Sequence, residues 1–217
     1  MNEKIFNAVK TGKAEEVKKV LTEEKINTAT YCGAKSIILA VENGHYEILK
    51  MLLESGAKIP RVSFWSNSYN VAFSTLTRAV QNGREDILKL LLEYGANAET
   101  KNLTAPFTDA LLRGNLEMTK MLLDAGANPK IKDKESGYTP LMFVILLLNE
   151  NQEIFVELLL KAGAHVSTEH KVWVREGRNK MLKKNTALTY AKERGYDKIV
   201  EMLKNAKKYR CLSNNKN

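Results

Sequence analysis

Apolar residues recur along this chain in short bursts at helical spacing, each burst closed by glycine. Ile48, Leu49, Leu52 and Leu53 form one such face, and Ile87, Leu88, Leu91 and Leu92 repeat it. Met118, Met121, Leu122 and Leu123 give a third version. The 3.6-residue period predicts amphipathic helices, each too short to bury its apolar stripe alone. Four stretches share one template, running from Ala40 to Ala57, Ala79 to Ala96, Leu111 to Ala127 and Ile154 to Ala164. All end in Gly-Ala, at Gly56, Gly95, Gly126 and Gly163, with spacings of 39, 31 and 37 residues. An irregular period of roughly 33 predicts stacked supersecondary units separated by loops of variable length.

Within a unit, Gly44, Gly83 and Gly114 fall between two helical patterns. A residue free to take positive φ there lets the chain reverse. Ala40, Ala79 and Ala110 occupy matching positions, where a small side chain lets neighbouring first helices approach closely. The pattern reaches both ends. Ile5 to Glu24 reads as a helix pair around Thr11-Gly12-Lys13, with Glu15, Glu16, Lys18 and Lys19 turned outward as in a capping unit. Thr186 to Leu203 reads as a sixth pair around Gly195. The expected organisation is a single array over 1–207, with approximate repeats 1–30, 31–69, 70–102, 103–136, 137–182 and 183–207. Residues 208–217 are expected to fray.

These residues together resemble the ankyrin-repeat family, whose pattern runs Thr-Pro-Leu-His, two alanines, Asn-Gly-His, then a leucine-rich helix ending in Gly-Ala-Asp/Asn. The best local matches are Thr139-Pro140-Leu141, Asn43-Gly44-His45, Gly95-Ala96-Asn97 and Gly126-Ala127-Asn128. Thr-Pro is replaced by Lys35-Ser36, Ser74-Thr75 and Ala105-Pro106, and the characteristic His of that motif is absent. The substitutions weaken the hydrogen-bonded start of the first helices and leave the stacking pattern whole. The resemblance implies an all-α solenoid of stacked helix-turn-helix pairs with protruding loop or hairpin fingers. It also implies a binding module without chemistry of its own, reading a partner through its concave face, fingers and first-helix ends.

Three irregularities carry candidate contacts. The insertion at 58–72 holds Phe64, Trp65 and Tyr69, aromatics of the kind that anchor protein interfaces. Interface anchor and packing under the loop both remain open for them. From Thr139 to Leu160 the first helix is expected to run about one turn long, with 149–152 making the turn. Met142, Phe143, Ile145 and Leu146 are expected in the core, with an exposed apolar ridge as the competing reading. Residues 166–185 form an extended finger, with Val172-Trp173-Val174 predicting a strand before Gly177. Trp173 lies among Lys171, Arg175, Arg178, Lys180, Lys183 and Lys184, a basic-aromatic set suited to an acidic protein surface. The competing readings are a solvated charge run and phosphate contacts. Positions where the family contacts partners add Glu42, Asn43, Gln81, Asn82, Leu112, Arg113, Glu193 and Arg194, with Lys101, Asn102, Leu103 and Tyr138 on fingers.

Charge changes the picture only at one end. Residues 1–168 hold 20 basic and 20 acidic residues, whereas 169–217 hold 14 and 5, so the whole net charge of +9 lies there. That asymmetry bears on partners rather than on fold. The first expectation is a protein partner, possessing an acidic surface. The alternative is nucleic acid or another phosphate-rich ligand on the basic finger 169–184. Nothing points to catalysis or to a cofactor. His45, His165 and His170 are poorly spaced for metal, Cys32 and Cys211 form no motif, and Gly12-Lys13 lacks the rest of a phosphate loop. The longest apolar run, Leu141 to Leu148, is far shorter than the roughly 20 residues of a membrane-spanning helix. The expectation is a monomer of the cytoplasm, or of a host cytosol after delivery.

Overall fold

The computed structural model describes residues 2–24, 31–60, 75–98, 106–133, 136–148, 150–176 and 179–206. Contacts gather the chain into two compact units, Met1–Ala98 with Thr104–Asp109, and Glu99–Leu103 with Ala110–Asn217. The first unit contains α1 (Asn2–Lys10), α2 (Ala14–Glu24), α3 (Tyr31–Glu42), α4 (Tyr46–Glu54), α5 (Thr75–Gln81) and α6 (Glu85–Glu93). Helix α7 (Pro106–Leu112) has residues assigned to both units. The second unit continues with α8 (Leu116–Asp124), α9 (Pro140–Leu147) and α10 (Gln152–Lys161). A hairpin of β1 (His170–Glu176) and β2 (Asn179–Asn185) follows, then α11 (Ala187–Glu193) and α12 (Asp197–Lys204).

Stacking has two layers. In the first unit α1 packs on α3 and α3 on α5, while α2 packs on α4 and α4 on α6. In the second, α9 packs on α11 and α10 on α12. Ala40 and Ala79 in the first unit are wholly buried, as are Ala110, Ala187 and Ala191 in the second. Second helices add Ile48, Leu49, Leu52 and Leu53, Ile87, Leu88 and Leu91, and Phe155, Val156, Leu159 and Leu160 to the core, beside first-helix residues such as Ile37, Leu76, Phe107 and Leu141. Each such side chain removed from water contributes on the order of 1.5–3 kcal/mol. The buried stripe differs slightly from the sequence expectation. Leu92, Met121 and Leu123 are half-buried, whereas Leu90 and Thr119 are buried, because the stripe is a ridge between two neighbours and not one helix's apolar half.

The inter-helix turns explain the glycines. Gly44 has φ +70°, and the Arg84 guanidinium of the next repeat occupies the space its Cβ would need. Arg84 Nη1 donates to the Gly44 carbonyl at 2.6 Å, and Nε and Nη2 hold Asp86 in a bidentate pair at 2.9 and 2.6 Å. Gly12 (φ +71°) meets the His45 ring in the same way, with 2.8 Å left for a Cβ. One repeat thus seats the side chain that follows the next repeat's glycine.

Between α9 and α10 the device changes. Helix α9 has 8 residues against 7 in α5, α7 and α11, so it is one residue longer and not one turn. The extra length goes into the turn, where Asn151 takes φ +56° in place of glycine. Gln152 Nε2 bonds the Leu148 carbonyl and closes the helix end. Met142 and Ile145 are buried, and Phe143 and Leu146 half-buried, in line with their expected place in the core.

First-helix starts are capped where threonine is retained. Thr139 accepts from Met142 N–H at 3.4 Å and Pro140 follows at the first helical position. Thr186 forms a reciprocal capping box with Thr189. Among the described residues no helix is long and apolar enough to cross a membrane.

Candidate partner-binding surface

The predicted hairpin is present. Its register pairs His170 with Asn185, Lys171 with Lys184, Val172 with Lys183, Trp173 with Leu182, Val174 with Met181, Arg175 with Lys180 and Glu176 with Asn179. Strand alternation divides these rungs into two faces. One carries Lys171 and Trp173 opposite Lys184 and Leu182. The other carries His170, Val172 and Val174 opposite Asn185, Lys183 and Met181. The basic residues of the finger are therefore not one patch, because Lys183 and Lys184 belong to opposite faces.

The ribbon is anchored at its base. His170 and Asn185 are buried, and His170 Nδ1 lies 2.5 Å from the Tyr190 hydroxyl. The Tyr138 ring covers His170 at a centroid distance of 4.2 Å and reaches Phe143 at 5.6 Å and Tyr190 at 6.2 Å. Tyr138, a finger candidate from sequence, is half-buried and holds the hairpin's base. Burial pushes the Tyr190 hydroxyl above its ordinary pKa, while Asn185 beside it pulls the other way, so the phenol stays protonated. Lys132 Nζ donates to the Glu169 carbonyl at 2.8 Å.

Away from that base the ribbon shows apolar surface to solvent. Trp173 is 68% exposed, Met181 53% and Leu182 42%, with Val174 also exposed. Lys183 pairs with Glu193 at 2.5 Å and Lys184 with Glu169 at 3.5 Å, so both terminal lysines already hold carboxylates. Lys171 is exposed. Sequence reasoning found Trp173 and missed Met181 and Leu182. Their signal was the pair itself, an apolar dipeptide inside a basic strand directly facing Trp173 and Val174.

The first-helix ends are the second locus. Leu112 is 46% exposed and Arg113 beside it is exposed. Leu147, at the end of α9, is 57% exposed, and Leu148 comes within 3.4 Å of where a Gly114 Cβ would stand. Leu147 was hidden by the unbroken apolar run from 141 to 148, which gives no polar position to mark the solvent side. Several polar candidates here brace the preceding repeat. Asn82 Nδ2 donates to the Val41 and Glu42 carbonyls at 3.3 and 3.1 Å. Glu42 pairs with Arg78 at 3.6 Å, and Arg194 Nη2 donates to the Leu146 carbonyl at 3.4 Å. Gln81 is half-buried. Between α1 and α3 a recess of about 230 Å³ is lined by Phe6, Lys35, Ile38, Leu39 and Glu42.

Phe64, Trp65, Tyr69, Lys101, Asn102, Leu103 and Arg178 lie outside the described residues, as does the side chain of Arg175. Among the described residues no group of three or more His, Cys, Asp and Glu side chains could hold a metal ion.

Comparison with known proteins agrees with the repeat architecture. The profile described as ankyrin repeats (3 copies) matches residues 61–133 and 107–215, and the profile described as ankyrin repeat matches residues 36–62. No curated protein matches the chain. Among solved structures, an ankyrin repeat domain from Acinetobacter baumannii AYE is similar, with a TM-score of 0.71 at 24% identity, over 93% of this chain and 96% of that one. The crystal structure of another ankyrin repeat protein gives a TM-score of 0.67 at 24% identity, over 94% and 97% of the two chains. Ankyrin repeats are in general protein-interaction modules and in general non-catalytic. With profile matches over most of its length and this helix-pair stacking, the chain belongs to the ankyrin-repeat family.

Proposed function

We propose that this chain is a non-catalytic adaptor of the cytoplasm, acting as one array and as a monomer, that holds a partner protein through the β1–β2 hairpin and the first-helix ends. The observation carrying this reading is the hairpin. Trp173, Met181 and Leu182 stand exposed on an element whose base is fixed by buried His170 and Asn185. An exposed tryptophan on a firmly anchored ribbon is costly for solubility and favourable at an interface, where Trp, Tyr and Arg dominate binding energy. Leu112, Arg113 and Leu147 supply a second, smaller locus.

Nucleic acid is the alternative, favoured by the concentration of the chain's net charge in residues 169–217. Affinity capture from nuclease-treated lysate of the source organism tests both. Three baits are compared: the parent, a hairpin variant with Trp173→Ala and Leu182→Ala, and a helix-end variant with Leu112→Ala and Leu147→Ala. A protein retained stoichiometrically by the parent and lost from either variant supports the adaptor reading. Nucleic acid co-purifying without nuclease, and no protein retained after it, overturns it.

A further inference from the structure

A two-stranded ribbon has two outer edges, and its register fixes which backbone groups lie on them. Residues 177 and 178 join Glu176 to Asn179, which pair as the last rung. That rung is of the hydrogen-bonded kind, because the bond across a tight turn joins its first and fourth residues. Bonded and non-bonded rungs alternate in an antiparallel pair. Val174 and Val172 therefore bond inward to Met181 and Lys183, while the N–H and C=O groups of Trp173 and Lys171 point outward. Among the described residues, nothing hydrogen-bonds to those outward groups.

The two edges differ. Three of the seven residues of β2 are lysine, and α11 packs against that strand. Charged side chains and a covering helix are the usual means of blunting an edge. Strand β1 runs seven residues without proline or bulge, and Val172-Trp173-Val174 forms its centre. Trp173 and Val174 there are exposed.

We infer that the outer edge of β1 takes an extended, β-branched segment of a partner protein as a third, antiparallel strand. In that arrangement Lys171 and Trp173 each exchange two backbone bonds with the residue opposite. Parallel addition would be slightly weaker per residue. The partner residue opposite Trp173 lies on the face of Trp173 and Leu182 and is apolar, since it continues that exposed row. A second copy of this chain is the competing strand. Residues 169–217 hold 14 basic and 5 acidic residues, so two copies meeting at this edge repel, and a neutral or acidic partner is preferred.

The inference rests on the adaptor reading and adds the mode of contact, which backbone and side-chain changes separate. In a Trp65→Phe background Trp173 is the only tryptophan, so its emission reports binding of the capped peptide Thr-Val-Thr-Val-Thr-Val-Thr. With a valine opposite Trp173, the valine N–H groups face β1 and the threonine N–H groups face away. N-methylation of the three valines should weaken binding at least about tenfold, and N-methylation of the interior threonines less than about threefold. On the protein, Lys171→Pro removes an outward N–H and spares the bonds to β2, as proline on an edge strand can. Lys171→Ala removes the side chain alone. The proline variant should lose about tenfold in affinity, and the alanine variant should bind like the parent. Amide exchange at Val172 and Val174 shows whether the proline variant keeps its hairpin; if it does not, the N-methyl pair decides on the unaltered ribbon. No response of Trp173 to the parent peptide, equal effects of the two N-methyl sets, or equal binding by the folded proline and alanine variants overturns the inference. Dimerisation that Lys171→Pro abolishes overturns it too, by giving the edge to a second copy. A protein captured by a Lys171→Pro bait and lost from the Trp173/Leu182 bait leaves the adaptor reading standing and sinks this mode of contact.

Discussion

At the scale of single residues, the groups that matter most are those that tie one repeat to the next. Arg84 reaches back to the Gly44 carbonyl while its other nitrogens clamp Asp86. The guanidinium beside it holds the Asp86 carboxyl below the usual carboxylate range. A depressed acid contributes stability that is whole above its unfolded pKa, about 3.9, and is lost as pH falls through the folded value. The parent should therefore melt above Asp86→Asn at neutral pH, by an amount equivalent to about 0.2–1 kcal/mol because the pair is largely solvated. That gap should begin to close near pH 4 and vanish below it, and parallel thermal melts across pH would show whether it does. A gap independent of pH would mean the carboxylate's charge is not what holds Arg84. Tyr190 is the buried counterpart. Tyr190→Phe keeps the ring against Tyr138 and strips the hydroxyl from His170 Nδ1, leaving a buried polar atom without its partner at a cost of about 1–3 kcal/mol. Chemical denaturation should register that loss. An unchanged midpoint would show that water replaces the hydroxyl.

At the scale of elements, the capping box on α11 matters because that helix follows directly from β2. Thr186 receives the Thr189 N–H and gives its own N–H to the Thr189 hydroxyl. Thr186→Ala should cost about 0.5–2 kcal/mol, whereas Thr186→Ser should restore most of it; equal losses in both would place the effect in the methyl group. Much of this layer was legible in the chain. The Gly-Ala endings, the inter-helix glycines and the Val172-Trp173-Val174 run each correspond to a turn or strand that is present. The rest needed neighbours. Leu90 and Leu92 have the same chemistry, yet only Leu90 is buried, because the adjacent repeat decides which side of the helix is covered. Asn82 reads as an exposed contact residue and is engaged with the Val41 and Glu42 carbonyls, 41 and 40 positions back. Lys183 and Lys184 are adjacent and alike, and only the strand register sends them to opposite faces. At the candidate site, then, sequence supplied the element and its anchor residue, and pairing supplied the face.

At the scale of the whole molecule, the stability of each unit comes from helices packed on their nearest neighbours in the stack. In the second unit α10 has α12 as its second-helix neighbour, and α9 has α11. Leu159 and Leu160 of α10 are buried, as are Ile199, Met202 and Leu203 of α12, so a cavity at Leu159 should be felt along this short stack. Leu159→Ala should cost about 2–5 kcal/mol, the range for a buried leucine whose site collapses only in part. In an array governed by neighbours that loss is not spread evenly. Hydrogen exchange should quicken first in α9 to α12 and in the hairpin inserted between them, whereas α1 to α4 keep the protection of the parent. Leu52→Ala in α4, where Leu52 is equally buried, should give the converse pattern, loosening α1 to α6 first. The two maps together test the premise. If both substitutions lowered protection uniformly from Asn2 to Lys204, the chain would open as one cooperative body. The hairpin's rigidity would then depend on distant repeats as much as on His170, Tyr138 and Tyr190 beneath it.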